Sequence, residues 1–152
     1  MSTFVIDVAT AADVVVLGPR LRAADVEEIR AASGLAPAEA LRRSYDFSTH
    51  VWAVRDTGGG PIALWGVGPL SLVGGRGCPW LLAADAFEGL GRDIARLSRP
   101  LLAAVRDHYP HLENRVDARH ASAVRWLSWL GFTIGPATPW GVEGRPFHHF
   151  WI

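Results

Sequence analysis

The spacing of apolar residues changes several times along this chain, and each change marks an element. "TFVIDVA", Thr3 to Ala9, is β-branched and apolar and predicts a first strand. Thr10 then stands as N-cap before "AADVVVLG", a short helix. "AADVEEIRAASG" predicts a second helix, with Val26 and Ile29 on one face and Gly34 as its stop. "APAEALRRSYDF" carries Pro37 in the first turn of a third. From Thr49 the period shortens: "THVWAVRD" and "PIALWGVGPLSL" flank the turn "TGGG" as a hairpin. "GCPWLLAAD" is a nearly continuous apolar run, the pattern of a strand covered on both faces.

The longest helical segment is "FEGLGRDIARLSRPLLAAVRDHYP". Its expected buried stripe is Ile94, Leu97, Leu101, Ala104 and Val105, with Arg92, Arg96, Arg99 and Arg106 largely off it. Pro100 should kink or restart this helix, and Pro110 should end it. "HLENRVDAR" predicts a strand, "HASAVRWLSWLGF" a helix stopped by Gly131, and "FTIGPATPWGVEGRPFHHFWI" two strands around a Gly/Pro-rich turn. With no repeat or long linker, residues 1–152 read as one α/β domain, helices covering a mixed sheet in three layers.

Composition narrows the function. Fifteen basic residues balance fifteen acidic ones, which argues against an autonomous nucleic-acid binder or an anionic-membrane binder. All the basic residues are Arg, so a Walker-type phosphate lysine and a Schiff-base lysine are excluded. Cys78 is the single cysteine and reads as a buried thiol, with no disulfide or cysteine-rich zinc site to be built from it. No secretion signal opens the chain and no apolar run approaches the ~20 residues of a membrane span. The expected location is the cytoplasm.

Individual polar residues add little by themselves. His148 and His149 are neighbours on a strand and point to opposite faces, so they do not chelate one ion, and no metal is expected. His108 and His111 flank a helix end, where imidazole complements the dipole. Asp85 reads as an N-cap, or as a crevice residue at a strand end. Asp117 and Arg119 are spaced to pair or to line that crevice, and Glu113 is a further acid. Arg22 with Asp25, and Glu27 with Arg30, read as local pairs on a solvated helix face. Trp126 and Trp129, one turn apart, read as packing against the sheet. No pair of carboxylates identifies a general base.

The order of elements and the stretch from His120 to Phe132 resemble the GNAT N-acetyltransferase superfamily, with one extra short helix near the start. In its motif N-x-x-A-x-x-[LF]-Y-x-x-x-G-F, Ala123, Gly131 and Phe132 match in one register. His120, Trp126 and Leu127 depart from it, and Leu127 removes the Tyr hydroxyl that in many of those enzymes protonates the departing thiolate. "AFEGLG" stands where that superfamily has a pyrophosphate loop, keeping Gly89 and Gly91 but placing Ala86 at the Gln/Arg position. The resemblance implies a GNAT-like acyl-CoA N-acyltransferase fold. It implies acetyl-CoA or CoA as cofactor if the site is active, held by Leu82, Ala83, Gly89, Leu90, Gly91, Arg92 and His120.

A second resemblance covers most of the chain. "PWLLAAD", "LENRVDAR" and "RWLSWLGF", in that order, resemble a bacteriophage and prophage family related to a small internal virion protein. It implies a phage-encoded GNAT-like protein whose partners are other virion or assembly proteins, in the host cytoplasm or packaged in the virion, with a degenerate acyltransferase site. The alternative is a working acyl-CoA-dependent N-acetyltransferase acting on an amine of a small molecule or protein.

Overall fold

The computed structural model describes residues 4–71 and 73–152, so Thr3 of the expected first strand lies outside the described residues. The described chain runs β1 (Phe4–Val8), α1 (Ala11–Leu17), a 3-10 turn (Gly18–Arg20), α2 (Ala23–Ser33), α3 (Pro37–Phe47), β2 (His50–Asp56), β3 (Pro61–Pro69) and β4 (Arg76–Ala83). A second 3-10 turn (Asp85–Leu90) leads into α4 (Gly91–His108), then β5 (His111–Asp117), α5 (Ala121–Leu130), β6 (Thr133–Trp140) and β7 (Arg145–Trp151). The strands form one mixed sheet ordered β1-β2-β3-β4-β5-β7-β6.

Three layers result because the sheet is apolar on both faces. On one face Val14 of α1, Ile29 of α2 and Leu41 of α3 pack on Ala53, Leu64 and Leu82. On the other, Val105 of α4 and Leu127 of α5 pack on Val67, Leu112, Val116 and Phe150. Burial of these side chains is the main favourable term holding the layers together. Gly34 and Gly131 stop α2 and α5 in left-handed conformation (φ 72° and 105°), as their positions predict.

Several expectations are corrected. The long helix begins at Gly91, since 85–90 wind as 3-10 turns. It runs unbroken through Pro100. Both Pro100 and Arg96, whose carbonyl loses its bond, are exposed, so water can serve that carbonyl. Its buried line is Ile94, Ser98 and Val105 with Leu101 half-buried, whereas Leu97 and Ala104, one step off that line, are exposed. Asp85 is an exposed residue of the 3-10 turn, which Ala84 caps. His108 is in the last turn of α4, as expected, with its ring on His50, but His111 lies on β5 and bonds Glu113 (2.7 Å).

The feature that positions the site is where β4 parts from β5. The two pair in parallel only at Arg76 with His111 and Gly77 with Leu112. The peptide groups of 75, 77, 79, 81 and 83 face β5, because those of the alternate residues bond β3. Pro79 is the next residue due to donate across this ladder, and it has no N–H. The strands diverge there, with the Asn114 side-chain amide donating to the Pro79 carbonyl (2.8 Å) at the fork.

Candidate active site

The divergence opens a cavity of about 640 Å³ that passes through the sheet and reaches both helical layers. On the α4–α5 side its wall is apolar, including Leu81, Ile94, Trp126, Leu127 and Phe150. On the α2–α3 side it meets a cluster of charged residues built on α2.

That cluster starts from one periodicity. Arg22, Asp25 and Glu28 are spaced three apart, so they line one side of α2, next to Ile29, and turn toward the sheet. Asp25 is 1% exposed. Its Oδ2 accepts from Arg22 Nε (2.9 Å) and from the Ala83 N–H (2.8 Å), and its Oδ1 lies 3.2 Å from His120 Nε2. Arg22 Nη2 lies 3.3 Å from the same His120 nitrogen, and the Arg22 N–H donates to the Ala83 carbonyl (2.8 Å). Both peptide groups of Ala83 that face the gap are therefore occupied. Arg22 and Asp25 do pair, as their spacing predicts, but as a buried pair; the exposed pair is Glu27–Arg30 (2.9 Å).

Glu28 completes the cluster. Its Oε2 accepts the Asp117 N–H (2.8 Å), which fixes the carboxyl at the end of β5 inside the cavity wall. Burial pushes its pKa up to about 7, helped by the neighbouring charges of Asp25 and Asp117 and opposed by the Asp117 N–H and by His120. Asp117 takes the opposite course. Burial works against its ionisation, but Arg119, bonded to both carboxylate oxygens (2.7 Å to Oδ2, 3.1 Å to Oδ1), holds it below the usual carboxylate range.

The residues expected to hold a cofactor fall into three groups. Leu82, Gly91 and His120 line the cavity. Gly89 and Arg92 are exposed and do not line it, and Leu90 packs beside Ile94 and Trp126. Ala83 has its N–H committed to Asp25, so the peptide group left facing the gap is that of Leu81. No side chain caps α4, which continues directly from the 3-10 turn. A Cβ at Gly89 or Gly91 would meet nothing within 4 Å. Glu88 turns its carboxylate to 3.8 Å from Arg22 Nη1.

Trp129 is 44% exposed under the Arg99 guanidinium (3.9 Å), so it is not a packing residue. Trp126 is in the wall of the cavity, and among the described residues its Nε1 is a buried polar side-chain atom without a hydrogen-bond partner. Leu127 is buried and offers no proton. His148 Nδ1 lies 2.8 Å from the Gly135 carbonyl and His149 stacks on Trp151. Among the described residues no three His, Cys, Asp or Glu gather as a metal site requires. Burial pushes the Cys78 thiol up to about 11, so it is no nucleophile near neutral pH.

No family model matches the chain, and no curated protein matches it. Solved structures do. A spermidine N-acetyltransferase from Vibrio cholerae, in complex with CoA and spermine, is 16% identical over 100% of this chain and 96% of its own, with a TM-score of 0.69. The ribosomal-protein-S5-alanine acetyltransferase from Vibrio fischeri is 14% identical over 100% and 93%, with a TM-score of 0.71. The yncA protein from Salmonella typhimurium, with its cofactor acetyl-CoA, is 14% identical over 99% and 94%, with a TM-score of 0.68. The chain has the GNAT fold. Within the GNAT fold, the parting of β4 and β5, the uncapped start of α4 and the Glu28 cluster share one cavity. The sequence reading missed Glu28 and Asp25 as cavity residues. Their signal was Asp25 four residues before Ile29, on the face of α2 that should have been apolar, with Glu28 three residues after Asp25.

Proposed function

We propose that this chain is an acyl-CoA-dependent N-acyltransferase acting on an amine. The observation that carries the reading is the single cavity joining a gap between strands to a carboxyl group with a pKa about 7. The residues fit the cofactor: the positive end of the α4 dipole, with no side chain over it and open space at Gly89 and Gly91, suits its phosphates. The Leu81 peptide group and the unpartnered Trp126 Nε1 suit the amide and carbonyl groups of its arm. When bound, the cofactor supplies an acyl group activated as a thioester.

The chain's own residues supply the proton chemistry. Glu28 takes one proton from the incoming ammonium and leaves a neutral amine. The amine nitrogen bonds the acyl carbon as the carbon–sulfur bond breaks, and its second proton neutralises the departing thiolate. Leu127 takes no part. Asp25 and Arg22 act as positioning residues: they hold His120 beside Glu28 and tie α2 to β4 through Ala83. The neighbours' names support acyl transfer to amines, and the virion or assembly role implied by the second sequence resemblance finds no support in the fold or the comparisons.

Calorimetric titration with acetyl-CoA tests the reading. Binding with a Kd in the micromolar range is expected. Absence of heat, and of any shift in melting temperature, at millimolar acetyl-CoA overturns it.

A further inference from the structure

Charged groups in the cavity wall are almost all matched. Arg22 is held by Asp25, Glu88 lies against Arg22, and Glu28 is fixed by the Asp117 N–H. Arg115 is different. Arg115 lines the cavity from β5, and its guanidinium lies over the Trp140 ring at 5.3 Å. Among the described residues it has neither an ion pair nor a side-chain hydrogen bond. A half-buried guanidinium in that state lacks the acceptor that its five N–H donors are shaped to take.

Its position relates it to Glu28. Arg115 and Asp117 are two apart on β5, so their side chains share the face turned to α2 and α3, about 7 Å apart along the strand. Glu28 sits at the Asp117 N–H. Glu28 and Arg115 thus line one cavity, a proton acceptor and an unpaired cation on the same side of β5. Beside them are Ile29, Ala40, Trp80 and Leu82, a largely apolar wall.

Resting on the acyltransferase reading above, we propose that the acceptor is an amino acid with an apolar side chain: Glu28 receives its amine and Arg115 binds its carboxylate. The same arrangement rejects a polyamine, because a second ammonium would meet Arg115 where a carboxylate is needed. It also rejects a polypeptide N-terminus, which carries no anion beside the amine. The β6–β7 turn is tied to the helix that carries Glu28: the Val142 and Glu143 N–H groups donate to the carbonyls of Ala32 and Ala31 at the end of α2 (both 3.2 Å). The other charges facing Arg115 are already engaged. Glu113 bonds Arg76 and His111, Asp117 bonds Arg119, and Glu143 bonds Arg145.

The test is thiol release from acetyl-CoA, using leucine, methionine and phenylalanine, each beside the amine that lacks its carboxylate, with spermidine as the polyamine. Amino acids should exceed their decarboxylated partners in kcat/KM by roughly 10- to 100-fold, mostly in KM, as loss of a charge-assisted contact does. Arg115→Gln should erase that preference while binding acetyl-CoA as the unaltered chain does, and Arg115→Lys should restore part of it. The proposal is overturned if the decarboxylated amines or spermidine are the better substrates. It is equally overturned if no amino acid is turned over by a chain that binds acetyl-CoA, or if Arg115→Gln keeps the preference. Failure of the unaltered chain to bind acetyl-CoA overturns the acyltransferase reading on which it rests.

Discussion

Glu28 occupies a position where two demands conflict. Its carboxyl is fixed by the Asp117 N–H, yet burial disfavours its charge. A base with a pKa about 7 becomes competent as pH rises through that value, so kcat/KM should climb between about pH 6 and 8. Glu28→Gln should flatten this profile and lower kcat by about 10²-fold, measured by thiol release across pH. Stability should run the other way. The folded pKa lies above the ordinary 4.5, so the native state holds the extra proton and its stability falls as pH rises from about 4.5 through about 7. Glu28→Gln removes that loss, and at pH 8 should be more stable than the parent by on the order of 1–3 kcal/mol, but nearly equal to it at pH 4. Urea midpoints at the two pH values check this. Asp13 gives the opposite sign. The Arg55 fork holds its carboxyl low, through bonds of 2.6 and 2.8 Å, so its contribution is present at neutral pH and lost in acid. Asp13→Asn leaves the half-buried Arg55 guanidinium with only the Asp7 carboxylate and should cost about 2 kcal/mol at pH 7 by urea denaturation.

At the scale of elements the sequence was largely readable, for a local reason. Each strand and helix carries its own period, and Pro37, Gly34, Gly131 and Pro110 mark its ends without reference to the rest of the chain. Pro79 likewise announces a broken ladder, but only once the pairing of β4 with β5 is known. Readings failed where exposure depends on a neighbour. Leu97 looked buried by its chemistry and is not, while Arg22 and Asp25 looked solvated and are not. The β6–β7 turn shows how tightly such contacts are drawn. Gly141 has φ 79°, and a Cβ there would lie 2.5 Å from the Ala31 carbonyl oxygen. Gly141→Ala should therefore cost about 1–3 kcal/mol in the urea midpoint.

In the whole molecule, the cavity belongs to no single element. Its walls come from both helical layers and from strands on either side of the parting. A ligand that spans it ties the layers together, so acetyl-CoA at 100 times its Kd should stabilise the fold by about 2.7 kcal/mol, read as a rise in melting temperature. By itself the sequence determined the order of elements, the helix stops, the missing N–H at Pro79 and the absence of a side-chain proton donor at Leu127, because these depend on residue type and near neighbours along the chain. Only the tertiary structure decided that Arg22, Asp25, Glu28 and His120 meet and that Arg115 is left unpaired. His120 lies 95 positions beyond Asp25, and a charge takes its pKa and its partners from groups that folding brings within a few ångströms.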